Sequence, residues 1–244
     1  MSVLSSRILI VIATHNAGDT LSVCLASIMP QLDENSNVVV VDGGSTDNTL
    51  AIAKKFKVTY ISEPDDGIYD AWNKAIKAWS FDWVTFIGAD DLLLSGALNK
   101  WRSYLSSTPR ANDIIFSRAC YYKNNRRVII GEEFDGYVFE RYMNVVHPGA
   151  LHSKSLFEGV SFDKNFKIAG DYEFLLRRHE TLVAGYIDFV CVELGLDGVS
   201  QSNPYVFYEK YMAKRMHTRR SKIIISIELF VDLAKFFIRK VLNR

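Results

Sequence analysis

Residues 83–91 of this 244-residue chain read WVTFIGADD, and they are the most informative part of the sequence. The apolar run from Trp83 to Ile87 is typical of a buried strand, and two adjacent carboxylates, Asp90 and Asp91, follow it. Ligands of open α/β sheets bind at the carboxyl ends of the strands. Two neighbouring acids without a basic residue beside them favour a hard divalent cation, Mg²⁺ or Mn²⁺. An equally simple interpretation is that Asp90 or Asp91 only caps a helix.

The surrounding sequence alternates between strand and helix patterns. Strands are predicted at 8–13, 38–41, 58–61 and 83–87, with helices at 20–29, from 47 or 48 to 55, and at 68–79. Four such alternations with short links predict a mostly parallel sheet with right-handed crossovers. After residue 109 the pattern predicts antiparallel strands at 114–122 and 127–130, a helix at 171–178 and a strand at 186–194. From residue 204 onward the chain is predicted to be helical.

Polar side chains follow each of the four predicted strands. They are Thr14 and Asn16, then Asp42, then Asp65 and Asp66, and finally Asp90 and Asp91. One such group alone is ordinary turn chemistry, but four in succession predict a binding cleft at one edge of the sheet. No GxGxxG or P-loop pattern is present, so a cation held by carboxylates is the expected phosphate anchor.

The charge is unevenly distributed along the chain. The formal net charge is +1, yet residues 205–244 carry ten Lys and Arg against three Asp and Glu, whereas the remainder carries 19 against 25. Three scattered cysteines form no zinc-binding pattern and indicate free thiols in a reducing cytosol. The apolar run at 8–13 is too short for a signal peptide core, and no stretch is long enough to span a bilayer. A cytoplasmic location is therefore expected.

The last forty residues predict an amphipathic helix that follows a basic segment. Charged residues recur every three or four positions between 228 and 239, and the other face of the helix is apolar. This pattern favours an anionic membrane surface, although packing on the body or on a second subunit of a homodimer stays open. Nucleic acid is not expected as a partner, because the body offers no matching basic face.

Four segments resemble family-2 glycosyltransferases of GT-A fold, of the type that builds bacterial O-antigen, capsule or exopolysaccharide. The segments are IVIATHN at 10–16, VVVVDGGSTDNT at 38–49, EPDDGIYDAWNK at 63–74 and IAGDYEFLLR at 168–177. The resemblance covers roughly residues 8–200 and implies a nucleotide-sugar half at about 1–110 and an acceptor half at about 111–203. Residues 204–244 would form a separate basic helical tail.

The resemblance also implies roles for individual residues. Thr14, Asn16 and Asp42 would hold the nucleoside, Asp65 and Asn73 would line the donor pocket, Asp90 would bind the metal with help from Asp91, and Asp171 would be the general base. His147 is a candidate for contact with the acceptor or the diphosphate, and Ser200 lies in a segment similar to a loop that closes over the donor. Three departures stand out: Gly88 replaces the first acid of the DxD motif, His15 replaces a Tyr, and Gly170 replaces a Glu.

These expectations combine into one function and two alternatives. A base and a metal on opposite sides of the sugar favour direct displacement, hence an inverting hexosyl- or N-acetylhexosaminyltransferase that uses Mn²⁺ or Mg²⁺. Its substrates would be a nucleotide-sugar, by resemblance a UDP-sugar, and a lipid-linked saccharide at the inner face of the cell membrane. A non-catalytic nucleotide-sugar-binding subunit is the first alternative. A nucleotidyltransferase is the second, although residues 14–19 lack the glycine-rich basic loop that it would need.

Overall fold

The protein is described from a computed structural model over residues 6–108, 111–195 and 203–242. Its strands are β1 Ile8–Thr14, β2 Ser36–Asp42, β3 Thr59–Ser62, β4 Trp83–Gly88, β5 Leu92–Leu93, β6 Ile114–Lys123, β7 Arg126–Ile130, β8 Leu151–Ser153 and β9 Ala184–Glu193. Its helices are α1 Leu21–Ile28, α2 Thr49–Lys55, α3 Ile68–Ala78, α4 Ala97–Ser107, α5 Gly136–Phe139, α6 Gly170–Leu176, α7 Tyr205–His217 and α8 Lys222–Leu242.

One mixed sheet runs through the molecule in the order β3-β2-β1-β4-β8-β6-β9-β5, with β7 paired to β6. Strands β1 to β4 are parallel, β8 is antiparallel to both β4 and β6, and β9 is parallel to β6. The hairpin of β6 and β7 turns at Asn124 and Asn125, both with positive φ, a conformation that asparagine tolerates well. The predicted α/β class, with an antiparallel part and a helical C-terminal region, is confirmed.

The first strands are apolar along their whole length because both faces of the sheet are covered. Leu9 and Val11 of β1 face a core that includes residues of α3, α6 and α7. Ile10 and Ile12, which alternate with them, face a second core that includes residues of α1, α2 and α4. This two-sided packing leaves the carboxyl ends of β1, β2 and β4 as the edge at which polar groups collect.

Strands β5 and β8 and helices α4 and α5 were not predicted from the sequence. Strands β5 and β8 have only two and three residues, and they exist because β9 and β4 pair with them. Helix α4 buries Ala97, Leu98, Trp101 and Leu105 beneath the sheet. Helix α4 starts after Gly96, whose backbone is in the left-handed region. Because no side chain caps this helix, the sequence carries no capping signal for its start.

The C-terminal region differs from the single helix that the sequence predicts. It forms α7 and α8, separated by residues 218–221, and α7 contacts α6. Val206 and Ala213 of α7 are buried in the core that also holds α3 and α6. The first part of the predicted tail is therefore packed as part of the body. In the described ranges, no helix combines the length and apolar character needed to cross a bilayer.

Candidate functional site

The parallel register brings the predicted strand-end residues together. Thr14 lies opposite Asp42 on neighbouring strands, Asp42 lies opposite Ser62, and Ala13 lies opposite Gly88. The Thr14 hydroxyl donates a hydrogen bond of 3.0 Å to Asp42 Oδ1. The carboxyl ends of β1, β2, β3 and β4 thus lie side by side, and side-chain hydrogen bonds join the ends of β1, β2 and β3.

Asp42 is the most heavily bonded of these residues. Its buried carboxylate accepts hydrogen bonds from the hydroxyls of Thr14, Ser45 and Ser62, and from the backbone N–H groups of Gly44 and Ser45. Burial works against ionisation, but the hydrogen bonds, those of Ser45 foremost, outweigh it and lower the pKa of Asp42. Asp42 therefore shapes the loop after β2 as an ionised acceptor.

Asn16 and Asp65 shape the two loops beside Asp42. Asn16, with φ of 51°, accepts a 2.9 Å hydrogen bond from Thr46 N–H at its side-chain oxygen. Asp65 accepts a 2.9 Å hydrogen bond from Gly67 N–H, which fixes the turn before α3. A Cβ on Gly43 would lie 2.7 Å from Asp65 Oδ2, so the absence of a side chain there allows the loops after β2 and β3 to meet.

Asn73, predicted to line the donor pocket, forms two hydrogen bonds with the backbone of Phe162. Its side-chain amide donates to Phe162 O at 2.9 Å and accepts from Phe162 N–H at 3.0 Å. Both ends of the amide are therefore engaged by one backbone unit, which fastens α3 to the segment that leads toward α6. In this geometry Asn73 acts as a support of the site.

Asp90 and Asp91 lie in unlike environments. Asp91 is 6% exposed, and its two oxygens accept 2.9 Å hydrogen bonds from Gly88 N–H and Gly195 N–H, which link the ends of β4 and β9. Burial raises the pKa of Asp91 to about 6, and the Asp90 charge adds to the rise while the two N–H groups oppose it. Asp90 is partly exposed. The predicted pair thus separates into a structural carboxylate and a more accessible one.

The surroundings of Asp90 fit a hard divalent cation. A Cβ on Gly88 would lie 2.8 Å from Asp90 Oδ1, and a Cβ on Gly195 would lie 2.3 Å from Asp90 Oδ2. Two glycines therefore leave room for this carboxylate at the end of β4. Mg²⁺ is usually held by one or two carboxylates together with substrate phosphates, and the Asp90 oxygens supply such a ligand.

Asp171 is the second residue of α6, and two groups contact its carboxylate. Asp171 Oδ1 accepts a 2.8 Å hydrogen bond from Tyr172 N–H and lies 3.2 Å from the hydroxyl of Tyr69, which also bonds Ile168 O. Burial raises the pKa of Asp171, opposed by the Tyr172 N–H and by the positive charge of Lys210. A raised pKa suits a carboxylate that must take up a proton.

His147, the predicted contact with acceptor or diphosphate, is buried in the core. Its side chain is 3% exposed and stacks on Trp72 at 5.2 Å and on Phe86 at 5.8 Å between ring centroids. Burial lowers the pKa of His147 to about 3, so the ring is neutral at physiological pH. Contact of His147 with the acceptor or the diphosphate stays a prediction. Ser200, the other predicted contact, lies outside the described residues.

Sequence reasoning missed Tyr69, Glu209 and Lys210. Tyr69 carries a weak signal, since it follows the Asp65–Gly67 turn within the predicted helix. Glu209 and Lys210 lie in the basic tail, where their residue types are indistinguishable from those of a solvated helix face. Only the packing of α7 on α6 brings them to the base segment.

Comparison with known proteins agrees with this architecture. The family model described as "Glycosyl transferase family 2" matches residues 9–161. A PGL/p-HBAD biosynthesis glycosyltransferase of Mycobacterium tuberculosis is 28% identical over 190 residues, which cover 74% of this chain and 73% of that protein.

Solved structures show the same fold at low sequence identity. The structure of S. aureus TarS 1-349 in complex with UDP-GlcNAc superposes with a TM-score of 0.70 at 19% identity, over 91% of this chain and 70% of that one. The mannosyltransferase PcManGT of Pyrobaculum calidifontis, in complex with GDP-Man and Mn²⁺, gives a TM-score of 0.65 at 16% identity, over 98% and 76%. These likenesses confirm the predicted GT-A fold. Since the family model spans more than half of the chain, the protein belongs to glycosyl transferase family 2.

Proposed function

We propose that this protein is an inverting glycosyltransferase that moves a hexosyl or N-acetylhexosaminyl group from a UDP-sugar to a lipid-linked saccharide in bacterial surface glycan synthesis. The observation that carries the proposal is the placement of Asp171 against α3. Tyr69 of α3 contacts Asp171, and the turn that starts α3 contains Asp65. The donor-side turn and the base segment are thus neighbours. The UDP-GlcNAc complex of the S. aureus neighbour and the PGL/p-HBAD biosynthesis named for the mycobacterial relative support the substrate classes.

Asp171 would take the proton from the acceptor hydroxyl as this oxygen attacks the anomeric carbon. The Tyr69 hydroxyl and Tyr172 N–H hold the carboxylate in one orientation, and its raised pKa strengthens it as a base. Mn²⁺ or Mg²⁺ held by Asp90 would offset the negative charge of the departing diphosphate. Because a single base acts on one face of the sugar, the expected product has the inverted anomeric configuration.

Substitution of the base tests the proposal most directly. With a UDP-sugar that the wild type transfers, D171N should lose transfer by about 10²–10⁴-fold, the usual contribution of a general base. Binding of UDP should be unchanged, as measured by titration calorimetry. D188N is the control, because the Asp188 side chain is 70% exposed on β9 and, among the residues that the structure describes, pairs only with Arg118. Full activity of D171N would refute the assignment, whereas donor binding by a wild type that transfers to no acceptor would favour the non-catalytic subunit.

Helix α8 is proposed to hold the protein on the inner face of the cell membrane. Its acidic side faces inward, where Glu228 binds Lys214 at 2.9 Å and also binds Arg220. Its apolar side faces outward, with Ile223 73% and Phe230 74% exposed. Exposed cations near the start and end of the helix complement anionic lipid; they are Arg219, Lys222, Arg239 and Lys240.

Flotation with vesicles that contain phosphatidylglycerol tests this surface. Wild-type protein should float with the vesicles, and the double variant I227E/F230E should not. Y137E is the matched control, since Tyr137 is 76% exposed on a different part of the molecule. If the wild type stays in solution as a dimer that I227E/F230E dissociates, then a second copy covers this face and the membrane proposal is wrong.

A further inference from the structure

Glu209 of α7 holds the backbone immediately before the base helix. The side chain is 3% exposed, and its carboxylate accepts hydrogen bonds from three consecutive N–H groups, those of Lys167 at 2.7 Å, Ile168 at 2.8 Å and Ala169 at 2.8 Å. Charge-assisted hydrogen bonds of this kind are stronger than neutral ones. Asp171 follows Ala169 by two residues, so Glu209 fixes the chain at the point where α6 begins.

Residues 162–169, which lead into α6, also contact the region around α3 in the N-terminal half of the chain. Lys167 donates from Nζ to Asp66 O at 2.7 Å, and Lys164 pairs with Asp66 Oδ2 at 3.0 Å. Asn73 holds Phe162 through both of its amide atoms. Residues 162–169 are therefore held between the α3 region and α7, and the position of Asp171 depends on both anchors.

Helix α7 reaches α6 through two further side chains. His217 lies 2.7 Å from Glu173 Oε1, a carboxylate that is 1% exposed and also binds Arg177. Lys210, next to Glu209, places a positive charge near Asp171. The contacts of α7 thus converge on the segment that carries the proposed base.

We propose that Glu209 is a positioning residue for sugar transfer, which sets the location of the Asp171 carboxylate through the three N–H groups that it accepts. The inference rests on the proposed role of Asp171 as the base. A misplacement of a catalytic group by about 1 Å can cost about 10²-fold in rate, and Glu209 has the geometry to prevent such a shift. If Glu209 only anchored α7, its loss would lower stability without a specific effect on the chemical step.

The variant E209Q separates these roles. Its amide nitrogen cannot accept a hydrogen bond, so at least one of the three N–H groups loses its partner. We expect kcat to fall ten- to hundredfold while the donor KM stays within twofold. V206A is the matched control, because Val206 is buried one turn earlier on α7 and its apolar side chain cannot accept a hydrogen bond from the N–H groups of residues 167–169. V206A should lower the Tm and leave kcat within twofold.

Three results would overturn the proposal. The first is E209Q with kcat within twofold of wild type. The second is a V206A variant that loses as much kcat as E209Q at a similar drop in Tm. The third is E209D, which keeps a carboxylate, with kcat no higher than that of E209Q. If E209Q does not fold, the comparison of E209D with V206A decides, and E209D must then show the larger loss of kcat.

A double variant distinguishes this inference from the proposed function. If Glu209 acts through Asp171, then D171N/E209Q should be no slower than D171N alone, because residues that act as a unit are not additive. A further tenfold loss in the double variant would contradict the coupling while leaving the base intact. Full activity of D171N would instead remove the proposed base, whatever E209Q does.

Discussion

Glycine at positions 88 and 170 allows other side chains to approach the backbone closely. A Cβ on Gly88 would lie 2.8 Å from oxygens of Asp90 and Asp91, and a Cβ on Gly170 would lie 2.7 Å from the ring of Tyr69. Both positions depart from the family pattern that the sequence resembles. The departure at Gly170 therefore coincides with the contact between Tyr69 and Asp171, and the departure at Gly88 coincides with the space that Asp90 and Asp91 occupy.

The variant G170A tests the close contact with Tyr69. The added methyl group must displace the ring, and overpacking of this kind costs about 1–3 kcal/mol of unfolding free energy. Because the Tyr69 hydroxyl lies 3.2 Å from Asp171, we also expect kcat to fall by about tenfold. Urea unfolding and transfer assays measure the two effects. In Y69L/G170A the clash is relieved, so a double variant much less stable than Y69L would contradict the explanation.

Buried neutral histidines should make the protein acid-sensitive. Burial lowers the pKa of His147 to about 3 and that of His152 well below its ordinary value. Between pH 6.5 and about 3 the unfolded chain binds a proton at His147 that the folded protein does not, so stability falls as the pH falls, by about 1.4 kcal/mol per pH unit. H147F keeps the stack on Trp72 and should reduce the slope of unfolding free energy against pH. An identical slope in urea unfolding would contradict this prediction.

At the scale of elements, side-chain hydrogen bonds join the loops after β1, β2 and β3, in addition to the backbone bonds from Gly43 N–H to Thr14 O and from Glu63 N–H to Asp42 O. Asp42 accepts from residues of β1, β3 and its own loop, and Asn16 joins the loop after β1 to the loop after β2. Each loop end is thereby fixed by a neighbour that lies 20 to 30 residues away in sequence. The polar edge of the sheet owes its shape to these cross-strand contacts.

The variant D42N should loosen this edge. An amide nitrogen would face backbone N–H groups, so we expect a loss of about 2–4 kcal/mol in unfolding free energy at pH 7. Because the folded pKa of Asp42 is lowered, its stabilisation is present above the unfolded pKa of about 3.9 and is lost as the pH falls through the folded value. S62A, which removes a single donor, should cost only about 1 kcal/mol. Equal losses for D42N and S62A in urea unfolding would count against the network.

At the scale of the whole molecule, the two C-terminal helices differ in how much of their surface packs against the rest of the protein. Helix α7 buries Val206, Glu209 and Ala213, whereas α8 buries Ile225 and keeps most of its apolar side chains exposed. Contacts between α6 and α7 reach the base segment, and those between α7 and α8 depend on Glu228. The packed body of the protein therefore extends beyond residue 203, through α7.

Two truncations should distinguish the contribution of α7 to the packed body from that of α8. A chain that ends at residue 218 retains α7 and should fold and transfer sugar to a water-soluble acceptor at about the wild-type rate. A chain that ends at residue 203 loses Glu209 and exposes the core beneath Val206, so we expect a large loss of near-UV circular dichroism and of activity. Wild-type activity in the shorter chain would show that α7 is dispensable, contrary to its packing.

The sequence alone predicted the α/β sheet and its polar edge, because strand periodicity, β-branched runs and strand-end carboxylates are local features. Thr14 and Asp42 lie together because adjacent parallel strands of similar length end at the same edge. The sequence did not predict the order of β8, β6 and β9 in the sheet, nor the short strand β5. The pairing of these strands depends on partners far along the chain.

Tertiary structure decided what each site residue contacts. Asp91 is hydrogen-bonded to Gly195, which is 104 residues away in the sequence. The hydrogen bond between Asn73 and Phe162 spans 89 residues, and the one between Glu209 and Ala169 spans 40 residues. His147 became a core side chain because α3 and β4 place Trp72 and Phe86 against it. A carboxylate, amide or imidazole has the same chemistry in any sequence, and whether it binds a ligand or a backbone N–H depends on which groups the fold brings within about 3 Å of it.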